Sequence, residues 1–178
     1  PVTAGLPGNT YHIRFIYKNR ATKECLMKEG NILEAYVYHS LWNRALVDDV
    51  KLNVAFTWEA DEAGEALDPD AVTNEIDLVC TYNMQTFFIS CKQTLPQTPH
   101  LQEIIFFADY FGADGKAVLV TSNSMTGENS SGRKDALISL RADKMGVYYI
   151  DRDMIGRTIE DMKQNRLAMY LQKIFNGD

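Results

Sequence analysis

The stretch that decides the fold is Asn74-Glu75-Ile76-Asp77-Leu78-Val79-Cys80-Thr81-Tyr82-Asn83-Met84-Gln85-Thr86-Phe87-Phe88-Ile89-Ser90-Cys91-Lys92. It reads as a β-hairpin, with a strand from Val72 to Tyr82, a tight turn at Asn83-Met84 and a second strand from Gln85 to Lys92. Successive side chains on a strand point to opposite faces. The first strand then carries Asn74, Ile76, Leu78 and Cys80 on one face and Glu75, Asp77 and Val79 on the other. The second carries Phe87, Ile89 and Cys91 opposite Phe88, Ser90 and Lys92. A two-residue turn pairs Tyr82 with Gln85. Counting back sets Asp77 opposite Ser90 and Glu75 opposite Lys92. Apolar faces coincide in this register, and a one-residue slip breaks the match. The expected product is an apolar sheet face behind a patch of two carboxylates, a hydroxyl and an amine.

Two readings of that patch are open. A solvated hairpin with a Glu–Lys pair shows the same pattern, and exposed pairs of that kind contribute little. The other reading is chemical. Carboxylate oxygens suit a hard cation such as Mg²⁺ or Mn²⁺. Such a cation stabilises charge on a phosphate and lowers the pKa of a bound water. A neighbouring lysine orients that water or offsets developing negative charge. Together these make a metal-dependent phosphodiesterase centre.

Upstream, Asn31 to Arg44 reads as a helix with Asn31 as N-cap. Its apolar stripe runs Leu33, Val37 and Leu41 with Tyr38 alongside, so Glu34 lies on or beside the buried stripe. A boundary glutamate serving the helix dipole would look the same. Val50, Leu52, Val54, Phe56 and Trp58 alternate with Lys51, Asn53, Ala55 and Thr57 as a half-buried strand. Residues 59–70 hold six acids and are expected as a solvated loop; the EF-hand order of ligands is absent. Residues 1–29 are expected as an irregular lead-in, with a short strand over His12–Tyr17 and a short helix over residues 20–28.

Downstream, Thr98 reads as the N-cap and Pro99 as the first residue of a helix whose Leu101, Ile104, Ile105, Ala108 and Phe111 keep helical spacing up to Gly112. Ala117-Val118-Leu119-Val120 is a fully apolar strand. Strand, helix and apolar strand in this order imply a right-handed parallel crossover. Thr121 to Gly132 is rich in Ser, Asn and Gly and is expected to be mobile. Arg133 to Lys144 reads as a helix carrying Arg133, Lys134, Arg141 and Lys144. Val147–Ile150 is a further strand, and one amphipathic helix is expected across Gly156 to Phe175.

The 178 residues suffice for one domain with a full core. No apolar run approaches the ~20 residues that span a bilayer, and no secretory signal is visible. A cytoplasmic location and reduced core thiols are the expectation for Cys25, Cys80 and Cys91, which lack CxxC spacing. His12, His39 and His100 form no ligand pair and receive no role. The net charge is −6, but six of the 24 acids sit in residues 59–70 and the other 18 balance the 18 Lys and Arg. Charge therefore neither supports nor excludes nucleic acid. The basic Arg133–Lys144 helix, led by Arg133 and Lys134, reads either as a phosphate-backbone clamp or as a solvated face balanced by Asp135 and Asp143.

In sum, the order is a helix with Glu34, a strand, a strand with Asp77, a strand with Ser90-Cys91-Lys92, a helix and a strand. This resembles the restriction-endonuclease-like αβββαβ core of the PD-(D/E)xK nuclease superfamily, an α/β fold with a mixed central sheet flanked by helices. The matching pieces are Gly30-Asn31-Ile32-Leu33-Glu34, Asn74-Glu75-Ile76-Asp77 and Phe88-Ile89-Ser90-Cys91-Lys92, and the likeness covers residues 30–150. The nearest likeness is to the nuclease domain of CRISPR-ancillary effectors, where it follows a CARF sensor that binds cyclic oligoadenylate. The resemblance implies one nuclease domain over residues 30–178, cut from a longer protein. It further implies a divalent-metal-dependent endonuclease acting on DNA or RNA, with an upstream sensor domain and a homodimer. Asp77 would be the principal metal ligand, Glu34 would complete the acidic cluster, and the Cys91 carbonyl would be a further ligand. Lys92 would position the attacking water.

One position departs from the pattern. The family usually carries Asp or Glu where this chain has Ser90, and a hydroxyl brings no charge to hold a dication. Ser90 binds metal through water with Glu75 supplying the charge, or the enzyme demands more metal, or the site is silent. The last case gives the rival function, a nuclease-fold domain for nucleic-acid binding or assembly.

Overall fold

The computed structural model describes residues 2–6, 9–13, 16–28, 30–42, 46–57, 73–124, 132–156 and 158–177, and for 2–6, 9–13, 21, 57, 73, 132–136, 159 and 162 the backbone path alone. The elements are β1 (Val2–Leu6), β2 (Asn9–Ile13), α1 (Arg20–Met27), α2 (Asn31–Trp42), β3 (Asp49–Thr57), β4 (Thr73–Tyr82), β5 (Gln85–Lys92), α3 (Thr98–Phe111), β6 (Lys116–Thr121), α4 (Gly132–Lys144), β7 (Val147–Ile150), α5 (Arg152–Ile155), α6 (Ile159–Gln164) and α7 (Arg166–Asn176). Strands β3 to β7 form one five-stranded sheet in sequence order. The first three are antiparallel and the last three parallel. The run α2–β3–β4–β5–α3–β6 is the αβββαβ core read from the sequence, and the α3 connection joins parallel strands as expected.

The β4–β5 turn fixes the register. Asn83 and Met84 both have positive φ, +48° and +67°, the combination a type I′ hairpin turn requires. The Asn83 N–H is held by Asp48 Oδ2 at 2.8 Å, and Tyr82 pairs with Gln85. Strand β5 is then covered on both faces. Leu33, Val37 and Leu41 of α2 and Leu167, Leu171 and Phe175 of α7 pack on Leu78, Cys80, Phe87 and Ile89. On the opposite side Leu101, Ile104 and Phe107 of α3 and Ile138 of α4 pack on Phe88 and Leu119. Burying one such large side chain stabilises the fold by about 1.5–3 kcal/mol. Phe88 is 1% exposed, so the polar patch expected over one hairpin face is confined to the Lys92 end.

The expected alternation also fails at one point. Ile76 packs with the α3–α4 core, whereas Leu78 and Cys80 belong to the α2–α7 core. Residues i and i+2 of a regular strand share a face, so β4 reverses its faces at Asp77. Strand β3 does the same: Val50 packs with α2 and α7, while Val54 and Phe56 pack with α3. The β3–β4 ladder passes over Asn53 and Asp77, and Asn53 has φ +52°. A left-handed residue beside an unpaired one lets both strands roll over together.

Three further expectations change. Val2–Leu6 and Asn9–Ile13 are not irregular but pair as an antiparallel two-stranded sheet. The single helix expected across Gly156 to Phe175 is two helices, α6 and α7. Asn165 breaks it, standing left-handed (φ +53°) as the cap of α7 with its side chain accepting from the Ala168 N–H. Helix α3 begins at Thr98 with Gln97 as its cap. Val72, Trp58, residues 59–70 and most of the Ser/Asn/Gly-rich stretch lie outside the described residues. Among those described, no helix is long and apolar enough to cross a membrane.

Candidate active site

Asp77 stands where β4 and β5 part. Their ladder ends at Leu78–Ile89, and beyond it the Asp77 side chain replaces a backbone partner. The Cys91 N–H donates to Asp77 Oδ2 at 2.6 Å, and Ser90 Oγ donates to the same oxygen at 3.2 Å. Lys92 Nζ lies 3.9 Å from it. All three contacts fall on Oδ2, which leaves Oδ1 outside this set. The expected facing of Asp77 and Ser90 is therefore made by side chains. The expected Glu75–Lys92 pairing is replaced by Lys92–Asp77, because the strands have separated and β4 has reversed. Lys92 keeps 27% of its side chain exposed, so its ammonium reaches solvent.

Glu34 arrives from the first turn of α2. The Gly30 carbonyl accepts from the N–H groups of Leu33 and Glu34, which starts the helix and aims the carboxylate back over Gly30. Gly30 has φ +95°, and a Cβ there would stand 3.0 Å from Glu34 Oε1. Glycine is thus required on both counts. The Glu34 carboxyl is raised above its ordinary value, first by burial, then by the negative charge of Asp77; Lys28 opposes this, Glu75 adds to it and Lys92 offsets part of it. The helix acid and the hairpin groups therefore feel one another's charge.

The Cys91 thiol is 5% exposed within the α2–α7 core. Burial, then Asp77 and Glu34, push its pKa well above the usual thiol range. Its burial suits a thiol that packs in the core.

Glu75, Ile76, Asp77, Ser90, Lys92, Glu103 and Ile104 enclose a cavity of about 20 Å³. That admits one water or small ion, not a nucleotide. Glu103 of α3 was not among the residues singled out from sequence. Spacing on α3 gave no hint of it, because only the packing of α3 against β5 brings it to the cleft. His100, read without a role, caps α3 by accepting the Gln97 N–H on Nδ1 at 3.1 Å. Its pKa is lowered by burial and then by Lys92, with Glu103 opposing, so the first turn of α3 adjoins the site. Arg133 and Lys134 fall in α4, but their side chains lie outside the described residues.

The donor types are hard oxygens: carboxylates, the Cys91 carbonyl and the Ser90 hydroxyl. Among the described residues no three His, Cys, Asp or Glu side chains converge as a ready cage. Mg²⁺ needs no such cage, since it binds through one or two carboxylates and keeps several waters. The crowding of Glu34 by Asp77 and Glu75 is what a dication would relieve. The residues present fit such an ion.

A family model described as "Card1-like, endonuclease domain" matches residues 21–170. No curated protein matches the chain in sequence. Among solved structures, protein VC1899 from Vibrio cholerae is similar at 18% identity and TM-score 0.58, covering 98% of this chain. Can2 from Sulfobacillus thermosulfidooxidans, solved in complex with cyclic tetra-adenylate, is similar at 18% identity and TM-score 0.54, covering 90% of this chain. The chain spans 39% of the length of each of these two proteins. At such identity the likeness concerns the fold.

Proposed function

The chain belongs to the Card1-like endonuclease domain family, and on that premise we propose that it hydrolyses phosphodiester bonds of DNA or RNA with a divalent cation, Mg²⁺ or Mn²⁺. The observation that carries this reading is the setting of Asp77. One carboxylate oxygen is locked by the Cys91 N–H, Ser90 and Lys92, while Glu34 approaches from a different element. Asp77, Glu34 and the Cys91 carbonyl would hold the ion, with Glu75 adding charge. When bound, it supplies charge stabilisation at the phosphate and a more acidic water.

The protein's own groups do the rest. Ser90 and the Cys91 N–H fix the Asp77 rotamer. Lys92, with about a quarter of its side chain exposed, offers its ammonium to a phosphate oxygen or to the incoming water. Arg133 and Lys134 hold the phosphate backbone of the strand. By likeness to sensor-linked effectors, the domain sits beside a CARF domain that answers cyclic oligoadenylate and acts as a homodimer in the cytoplasm.

The test is calorimetric titration of Mn²⁺ and Mg²⁺ into the chain, alongside cleavage of plasmid, single-stranded DNA and single-stranded RNA. The expected result is cation binding lost in Asp77→Ala together with cleavage. Strand binding without cation binding or cleavage would establish the rival, a silent nucleic-acid-binding domain, which the serine at position 90 favours. Charge reversal at Arg133 and Lys134 is expected to weaken strand binding and flatten its salt dependence.

A further inference from the structure

Ser90 leaves the proposed cation site short of one charge, and the sheet shows where an acid at that position would point. Ser90 shares its face of β5 with Phe88, two residues before it, and Phe88 packs on α3. A side chain at 90 therefore faces the α3 layer. Glu103 belongs to that layer, and it lines the cavity of about 20 Å³ together with Asp77, Ser90 and Lys92. Building on the nuclease reading, we infer that Glu103 stands in for the missing acid at 90, a carboxylate moved from β5 to α3 that faces the cation through a bound water.

Glu75 lines the same cavity, but it serves the other layer. Its neighbour Ile76 packs with the α3–α4 core, so alternation puts Glu75 on the α2 side. There its charge acts on Glu34. Glu103 arrives from the opposite side. His100, one turn before it on the same side of α3, feels the charges of both Lys92 and Glu103. The α3 acid and the β5 amine therefore share one neighbourhood. No hydrogen bond or ion pair among the described residues engages the Glu103 carboxylate. A water between carboxylate and ion suits this spacing, since Mg²⁺ keeps several of its waters and no three His, Cys, Asp or Glu side chains among the described residues converge as a cage. Asp77, at the parted strands, is thus approached by Glu34 from one layer and by Glu103 from the other.

The experiment is calorimetric titration of Mn²⁺ into wild type, Glu103→Gln, Asp109→Asn and the double variant Glu103→Gln with Ser90→Asp, each with its cation-free thermal transition recorded. Glu103→Gln is expected to bind Mn²⁺ about 10–100-fold more weakly, the usual loss when a group behind the direct ligands is removed. Its transition is expected to stay in place, because Glu103 is exposed. Asp109→Asn removes another exposed acid of α3 and is expected to bind as wild type does. Adding Ser90→Asp to Glu103→Gln is expected to return most of the lost affinity, a rescue that a merely structural Glu103 would not allow. Wild-type affinity in Glu103→Gln overturns the inference and leaves the nuclease reading intact. So does an equal weakening in Asp109→Asn, which would trace the effect to net charge, or a folded double variant as weak as Glu103→Gln. If the double variant does not fold, Glu103→Asp takes its place: it keeps the charge and is expected to bind more tightly than Glu103→Gln, and equal weakness overturns the inference. No Mn²⁺ binding by wild type overturns the nuclease reading and this inference with it.

Discussion

Ser90 Oγ donates a 3.2 Å hydrogen bond to Asp77 Oδ2. The residue standing where the resembled nucleases carry a second acid thus supports the first acid instead. Ser90 is 5% exposed, so this bond is shielded from water and orients the carboxylate.

Replacing Asp77 separates its two tasks. Asp77→Asn keeps an oxygen for the Cys91 N–H and removes the charge; Asp77→Ala removes both. Cation affinity is expected to fall at least tenfold in each. Denaturant unfolding is expected to show Asp77→Asn near wild type and Asp77→Ala less stable by about 1–3 kcal/mol, the cost of an unsatisfied buried N–H. Wild-type titration curves for Asp77→Ala would remove Asp77 from the site.

Lys92→Met retains most of the apolar stem and deletes the ammonium 3.9 Å from Asp77. Cleavage is expected to fall by about 10²–10³-fold, the scale of one lost charge-stabilising donor. Strand affinity changes little, with the salt slope reduced by about one. Single-turnover cleavage beside anisotropy distinguishes these effects, and an equal loss in both assays would recast Lys92 as a binding residue.

Ser90→Asp adds the missing charge at a buried position against Asp77. Without divalent cation the variant is expected to melt below wild type, because two carboxylates crowd one site. With Mn²⁺ it is expected to melt above its own cation-free value by a wider margin than wild type does, and to cleave at lower Mn²⁺. A melting temperature indifferent to Mn²⁺ would show that residue 90 does not face the cation.

Glu34 makes stability depend on pH. Its folded pKa is raised above the ordinary 4.5 by burial, then by Asp77. A raised carboxyl favours the folded state while protonated, and that advantage is lost as pH climbs from 4.5 through the folded value. Without divalent cation, Glu34→Gln is therefore expected to stabilise the chain at pH 7, with the gain shrinking to nothing below pH 4.5. With Mn²⁺ at pH 7 the order is expected to reverse, since the glutamine holds the ion less well. Thermal melts across pH, with and without Mn²⁺, check both signs.

Gly30→Ala places a Cβ 3.0 Å from Glu34 Oε1 on a backbone at φ +95°. A stability loss of more than about 1 kcal/mol is expected from the backbone alone. Cation affinity is also expected to drop, because the Glu34 carboxylate must move. Intact affinity in a destabilised variant would mean that Glu34 binds no cation.

Much of this arrangement is legible in the chain. The Asn83-Met84 turn sets the register by itself, and from it the neighbourhood of Asp77, Ser90 and Lys92 follows by counting. The reversal of β3 and β4 was not legible, because Ile76 and Leu78 look identical to a rule that assumes unbroken alternation. Its cause is a pair, Asn53 with Asp77, whose members are distant in sequence. Glu103 was hidden for a related reason, since its place depends on how α3 lies on the sheet. The division before α7 did leave a trace: Asn165 three residues ahead of Ala168 is an ordinary capping spacing, masked by the apolar period running through it.

The roll of β3 and β4 about Asn53 and Asp77 has an evolutionary consequence. An apolar residue at position 77 would favour a straight ladder, and one end of both strands would then offer its greasy side to the wrong layer. Position 90 carries no such obligation, since β5 runs regularly through it. A lineage can therefore vary position 90 while the scaffold endures, whereas drift at 77 endangers folding and, on the proposed reading, chemistry with it. Selection on architecture alone would keep an aspartate or an asparagine there long after any need for cleavage had lapsed.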